Sequence, residues 1–180
     1  VLVDGDLRKP VLHKIFSIEK EPGLTKYLST NDKQYKSIVR KSEVDNLSVV
    51  TCGLIPPNPS EILSSTKMKA LVEKLKNHFD VILIDSPPIL AVTDTSVCMD
   101  YAEQFILVVR TGKTEKGGLD RAIVQLSNNN APLNGVVMNA VTESSSYGAG
   151  YYYNYYQYYY GKEKEWFKWI LQLLDQVMLV

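Results

Sequence analysis

Five short apolar runs restrict this chain more than any other feature: VLVD at residues 1–4, NLSVVTCG at 46–53, DVILIDSPP at 80–88, QFILVVR at 104–110 and LNGVVMN at 133–139. They are continuous rather than alternating and rich in Val and Ile, which is the pattern of strands covered on both faces. Between the second and third runs and after Thr114 the period changes to that of a helix. Met68, Leu71, Val72 and Leu75 fall at offsets of one helical face, with Ser64 to Thr66 as candidate caps, and Leu119, Ala122, Ile123 and Leu126 repeat the spacing. Strands alternating with single helices require right-handed crossovers and a parallel sheet. The expected fold class is therefore α/β, doubly wound, with a mostly parallel sheet. Residues 10–45 are more polar, with short helical pieces expected at GLTKYLS and YKSIVRK.

The apolar fraction of the 180 residues is ordinary for a globular domain, and Lys plus Arg balance Asp plus Glu at 20 each. A net charge of zero gives no overall field to attract nucleic acid, so ionic recognition has to be local. Cys52 and Cys98 follow no metal-ligand spacing and are expected as buried free thiols.

The chemistry gathers at the ends of two runs. VLV delivers Asp4 and Asp6, and VILI delivers Asp85. In open α/β sheets ligands bind at the carboxyl ends of strands, where a magnesium nucleotide finds hard oxygen ligands and phosphoryl transfer finds a carboxylate to orient or deprotonate the attacking group. A single aspartate at a strand end is commonly just a turn residue. Three carboxylates on two strand ends favour a site.

The pattern changes after Val141. Nine of the fourteen residues from Tyr147 to Tyr160 are tyrosine, and Gly, Ala, Asn and Gln make up the rest of that stretch. No helical or strand period buries such a face, so residues 143–161 are expected as a flexible tail. Residues 162–180, KEKEWFKWILQLLDQVMLV, form a short apolar or amphipathic end. It is shorter than the roughly twenty apolar residues a membrane span needs and contains Asp175. Lying at a lipid interface and packing on the domain or a partner are both open to it.

VLVDGDLRKP resembles the Walker A-prime motif of the bacterial tyrosine kinases that regulate capsule and exopolysaccharide synthesis, and VILIDSPP resembles their Walker B strand. GLIPPNPSEIL resembles the proline-rich link before the intervening helix, and a tyrosine-rich tail is a further hallmark of that family. The resemblance covers residues 1 to about 161 and implies a P-loop kinase domain of the deviant Walker type over residues 1–142. It implies ATP and Mg2+ as cofactors, Asp4 as the group that takes the proton from an acceptor tyrosine, and Asp6 and Asp85 as magnesium holders. Asn139 resembles the polar group placed near adenine in related ATPases; an Asn that simply ends a strand is the competing explanation. Arg8 could meet phosphate or a neighbouring subunit, but a surface ion pair is the expected role.

Autophosphorylation is implied at Tyr147, Tyr151, Tyr152, Tyr153, Tyr155, Tyr156, Tyr158, Tyr159 and Tyr160, in trans within a homo-oligomer. The implied partners are a membrane-spanning activator, which brings the kinase to the inner face of the plasma membrane from the cytoplasm, and polysaccharide-synthesis enzymes as substrates. One departure stands out: GxxxxGK[ST], the loop whose backbone N–H groups and lysine cradle phosphates, does not occur in these residues. With a start inside a strand and without Met, the chain is expected to lack the first strand and the phosphate loop, to be inactive alone and to be marginally stable. Two other function classes stay open, an ATPase switch of the partitioning or division-site type and a noncatalytic binding module.

Overall fold

The structure is a computed structural model and describes residues 1–30 and 34–141. The tyrosine tail at 143–161 and the segment 162–180 lie outside the described residues. The element order is β1 (Leu2–Asp4), α1 (Leu12–Ile15), α2 (Leu24–Ser29), a 3-10 turn (Tyr35–Ile38), β2 (Val39–Lys41), β3 (Ser48–Val50), α3 (Pro59–Leu63), α4 (Thr66–Lys76), β4 (Leu83–Asp85), α5 (Asp94–Cys98), β5 (Phe105–Arg110), α6 (Lys116–Asn128) and β6 (Leu133–Asn139). All five apolar runs become strands, although those at 46–53 and 80–88 pair over only three residues each.

β1 lies inside a four-stranded sheet of order β2-β3-β1-β4 and pairs in parallel with both β3 and β4. Val1 and Val3 point into a cluster with Leu24, Leu63, Met68, Leu71 and Leu75, whereas Leu2 packs with Leu12, Phe16 and Val49 on the other face. This is the two-sided burial expected from a continuous apolar run. α4 seals the first face: Ser65 caps it by accepting the Met68 N–H at 3.2 Å, and Met68, Leu71, Val72 and Leu75 are its buried stripe. Each fully buried leucine there removes apolar surface worth about 2 kcal/mol from water.

The sequence reading fails at YKSIVRK. Only Tyr35–Ile38 turns helically, and Val39–Lys41 runs antiparallel to β3 with Val39 opposite Val50. The β-branched Val39 gains a cross-strand partner, and Lys41 at the sheet edge stays exposed, an arrangement that suits a short edge strand. The sheet is thus mixed at this end.

β5 and β6 form a separate parallel pair, packed through Phe105 and Leu107 onto Ala122 and Leu126 of α6 and onto Ile89. No ladder joins β4 to β5 among the described residues. Two-sided burial is incomplete in these strands, since Leu83 of β4, Ile106 of β5 and Val136 and Met138 of β6 are exposed. Ile123, expected on the inner face of α6, is also exposed. Both cysteines are free and buried as expected. No helix among the described residues is long and apolar enough to cross a membrane.

Candidate nucleotide and metal site

The parallel register sets Asp4 directly opposite Asp85 at the carboxyl ends of β1 and β4. Gly5 continues the contact by donating its N–H to the Asp85 carbonyl at 2.9 Å. A Cβ at position 5 would sit 2.4 Å from that carbonyl oxygen, so only glycine lets the two strand ends approach this closely. Gly5 is a positioning feature that strand-pattern reasoning did not single out.

Both carboxylates are buried, Asp4 at 0% and Asp85 at 2% exposure. One Asp4 oxygen accepts the Leu12 N–H at 3.3 Å, while Asp4 Oδ1 and Asp85 Oδ1 have no hydrogen-bond partner. The electrostatic consequence is large. Burial pushes Asp4 up to about 7, with the Asp6 charge adding to the effect and the Leu12 amide opposing it. Burial, then the charges of Asp4 and Asp6, push Asp85 up to about 9. Two buried acids that resist ionisation are what a site looks like when it is organised for a positive charge.

Asp6 sits one residue past Gly5 and is more exposed. Its Oδ1 accepts the backbone N–H groups of Arg8 and Lys9 at 3.0 and 2.9 Å, closing a tight turn. The described residues contain no group of three or more His, Cys, Asp or Glu side chains placed to share one ion. The structure thus brings Asp4 and Asp85 together and leaves Asp6 on the adjoining turn.

Asn139 ends β6 and is buried, but it belongs to the other sheet, and its Oδ1 accepts the Ala140 N–H at 2.8 Å. Arg8 departs from the expected surface pair: its guanidinium grips the fully buried Asp94 with two bonds, Nε–Oδ2 at 2.7 Å and Nη2–Oδ1 at 3.0 Å. The two residues are 86 positions apart, so no local pattern announces the pair.

The donor set fits a hard divalent cation: buried, partnerless carboxylate oxygens on two rigid strand ends suit Mg2+ better than a soft metal. The GxxxxGK[ST] motif does not occur in the sequence, so the fit extends to the metal and not to the triphosphate.

No family model matches the chain. CapB of Staphylococcus aureus, which carries the name of a tyrosine-protein kinase, is 35% identical over 165 residues that make up 91% of this chain and 68% of CapB. The chain belongs to the bacterial tyrosine-kinase family. A second relative, the tyrosine-protein kinase ptk of Acinetobacter johnsonii, is 38% identical over 84% of this chain, and the chain spans only 20% of its length. Among solved structures, the kinase domain of VpsO matches with a TM-score of 0.73 at 32% identity, over 78% of this chain and 70% of that domain. The cell-division ATPase MinD of Pyrococcus furiosus matches with a TM-score of 0.63 at 21% identity, over 80% of this chain and 63% of MinD, a likeness of fold alone. The fold is that of the P-loop NTPases, and the family members it resembles are kinases by name.

Proposed function

We propose that this chain supplies the acidic half of an ATP and Mg2+ site in a protein-tyrosine kinase that regulates capsular or extracellular polysaccharide biosynthesis, chain length or export. The observation that carries the reading is the buried, in-register pair of Asp4 and Asp85, each with a partnerless oxygen. When bound, ATP brings the γ-phosphoryl group and Mg2+ the counter-charge. Asp85 and Asp6 hold the metal. Asp4 takes the proton of the acceptor tyrosine hydroxyl, and an affinity for protons near neutrality suits a general base at working pH. Asn139 stands as the adenine-side group.

The acceptors are the tail tyrosines of a neighbouring copy, Tyr147 to Tyr160. Each phosphate adds nearly two negative charges, so a multiply modified tail is repelled by the acidic strand ends. A membrane-spanning activator, placing the kinase at the inner face of the membrane, and polysaccharide-synthesis enzymes as further substrates complete the proposal.

Mass spectrometry of a protein in which this half is completed by a phosphate loop, expressed with its activator, tests it. Phosphate should appear on several of the nine tail tyrosines and disappear in Asp4→Asn and Asp85→Asn. A tail that stays unmodified while ATP is steadily hydrolysed by water would replace the kinase with an ATPase switch.

A further inference from the structure

Beyond the bond from the Gly5 N–H to the Asp85 carbonyl, the two loops that carry the acidic groups are each fastened to a third element. The turn after Asp6 and the loop after Asp85 both reach to the first two residues of α5. Asp94 binds the Arg8 guanidinium at two points, 2.7 and 3.0 Å, and accepts the Ser60 hydroxyl at 2.5 Å. Arg8 is the third residue of the turn that Asp6 closes by accepting the Arg8 and Lys9 amides. Next along α5, the Thr95 hydroxyl lies 2.6 Å from the Pro87 carbonyl and 3.2 Å from Ser86 Oγ, on the loop that leaves Asp85.

Two adjacent side chains thus fasten two loops whose aspartates come from different strands. Asp94 and Thr95 are both fully buried, whereas 44% of the Arg8 side chain is exposed. The anchor is inside, and the arm that holds the turn reaches in from solvent.

Leu7, 0% exposed, also pins the turn. A single buried side chain fixes depth but leaves rotation about the anchor. The planar guanidinium, held by both carboxylate oxygens, removes that rotation, which a lysine could not do.

We propose that Asp94, acting through Arg8, is a positioning residue that sets the orientation of Asp6 relative to Asp85, with Thr95 fixing the second loop to the same point. The metal consequence rests on the reading of Asp6 and Asp85 as cation holders; the positioning itself does not. The geometry makes α5 a gauge for the site: any tilt of this short helix moves both loops together.

The test uses the 180-residue chain, with amide hydrogen exchange followed residue by residue and Mn2+ binding followed by electron paramagnetic resonance. Asp94→Asn and Arg8→Lys should each speed exchange of the Arg8 and Lys9 amides at least tenfold while the amides of α4 keep their wild-type rates. Arg8→Lys alters an exposed side chain and keeps its charge, so it separates lost orientation from lost folding. Both variants should weaken Mn2+ binding at least fivefold. Asp6→Asn and Asp85→Asn report on the metal reading: if they leave Mn2+ binding unchanged, or if the wild-type chain binds none, that reading fails, and the exchange data still decide the positioning role. Exchange at Arg8 and Lys9 within twofold of wild type in both Asp94→Asn and Arg8→Lys would overturn the proposal.

Discussion

Two buried acidic centres lie a few residues apart in this fold and are built on opposite terms. Asp94 is fully buried and fully answered: two guanidinium nitrogens and a hydroxyl surround it. Burial alone would push its carboxyl up, but the Arg8 and Ser60 hydrogen bonds outweigh that and hold it below the ordinary range. Asp4 and Asp85 are as deeply buried, face each other, and each keep an oxygen with no partner. One centre spends its charge on holding the structure together; the other keeps its charge available at a cost in stability. The two centres differ in what surrounds them, since all three residues are simply aspartates near strand or helix ends in the sequence.

The contrast is broken most sharply by neutral substitution. Asp85→Asn should stabilise the chain at pH 9 by on the order of 3 kcal/mol, because it removes a buried charge that faces another. The sign follows from protons. With a native value raised to about 9 and an unfolded value of about 4, the folded state holds a proton that the unfolded state has released, so stability falls as pH rises through that window. Denaturant melts of wild type and variant from pH 5 to 9 check it: the wild-type curve should slope downward and the variant's should be flatter.

Asp94→Asn should act in the opposite direction and cost about 2 kcal/mol at pH 7, since it weakens charge-assisted bonds to Arg8 and Ser60. Its wild-type contribution is present at neutral pH and lost as the pH falls through the lowered native value, the reverse of Asp85. A melt at pH 7 that places both variants on the same side of wild type would erase the distinction between the centres.

Magnesium should discriminate between them by a smaller margin. At ten times its dissociation constant a cation bound only by the native state adds about 1.4 kcal/mol. The gain should grow with pH, because Asp85 must release its proton to bind metal, and it should be absent in Asp85→Asn. Thermal melts with and without Mg2+ at pH 6 and pH 9 measure this. The smallest effect belongs to Ser60→Ala, about 1 kcal/mol for one hydrogen bond to Asp94, with no change in magnesium response.

The strands and the two long helices were legible because periodicity is a local signal: LNGVVMN and QFILVVR fill β6 and β5 residue for residue apart from the leading Gln104. Asp4, Asp6 and Asp85 were legible because carboxylates at the ends of apolar runs point to a sheet edge. β2 was not, since a three-residue edge strand is decided by the neighbour it pairs with rather than by its own pattern. Asp94 and Thr95 were not, because their meaning depends on Arg8, Ser86 and Pro87, which only the fold brings near. Gly5 was readable in principle, as a glycine between two acids at a strand end, but the close carbonyl that requires it appears only in three dimensions.

Among the described residues no ladder joins β4 to β5, and this bears on how the molecule comes apart. Strands joined by hydrogen bonds gain and lose order together, whereas here α6 meets the segment after β4 through side-chain contacts, the Gln125 amide donating to the Ile89 carbonyl at 3.2 Å and to Ser96 Oγ of α5 at 3.3 Å. Such contacts transmit far less cooperativity than a continuous backbone network. The β5–α6–β6 unit with Asn139 and the sheet that holds Asp4 and Asp85 are therefore able to lose order in separate steps.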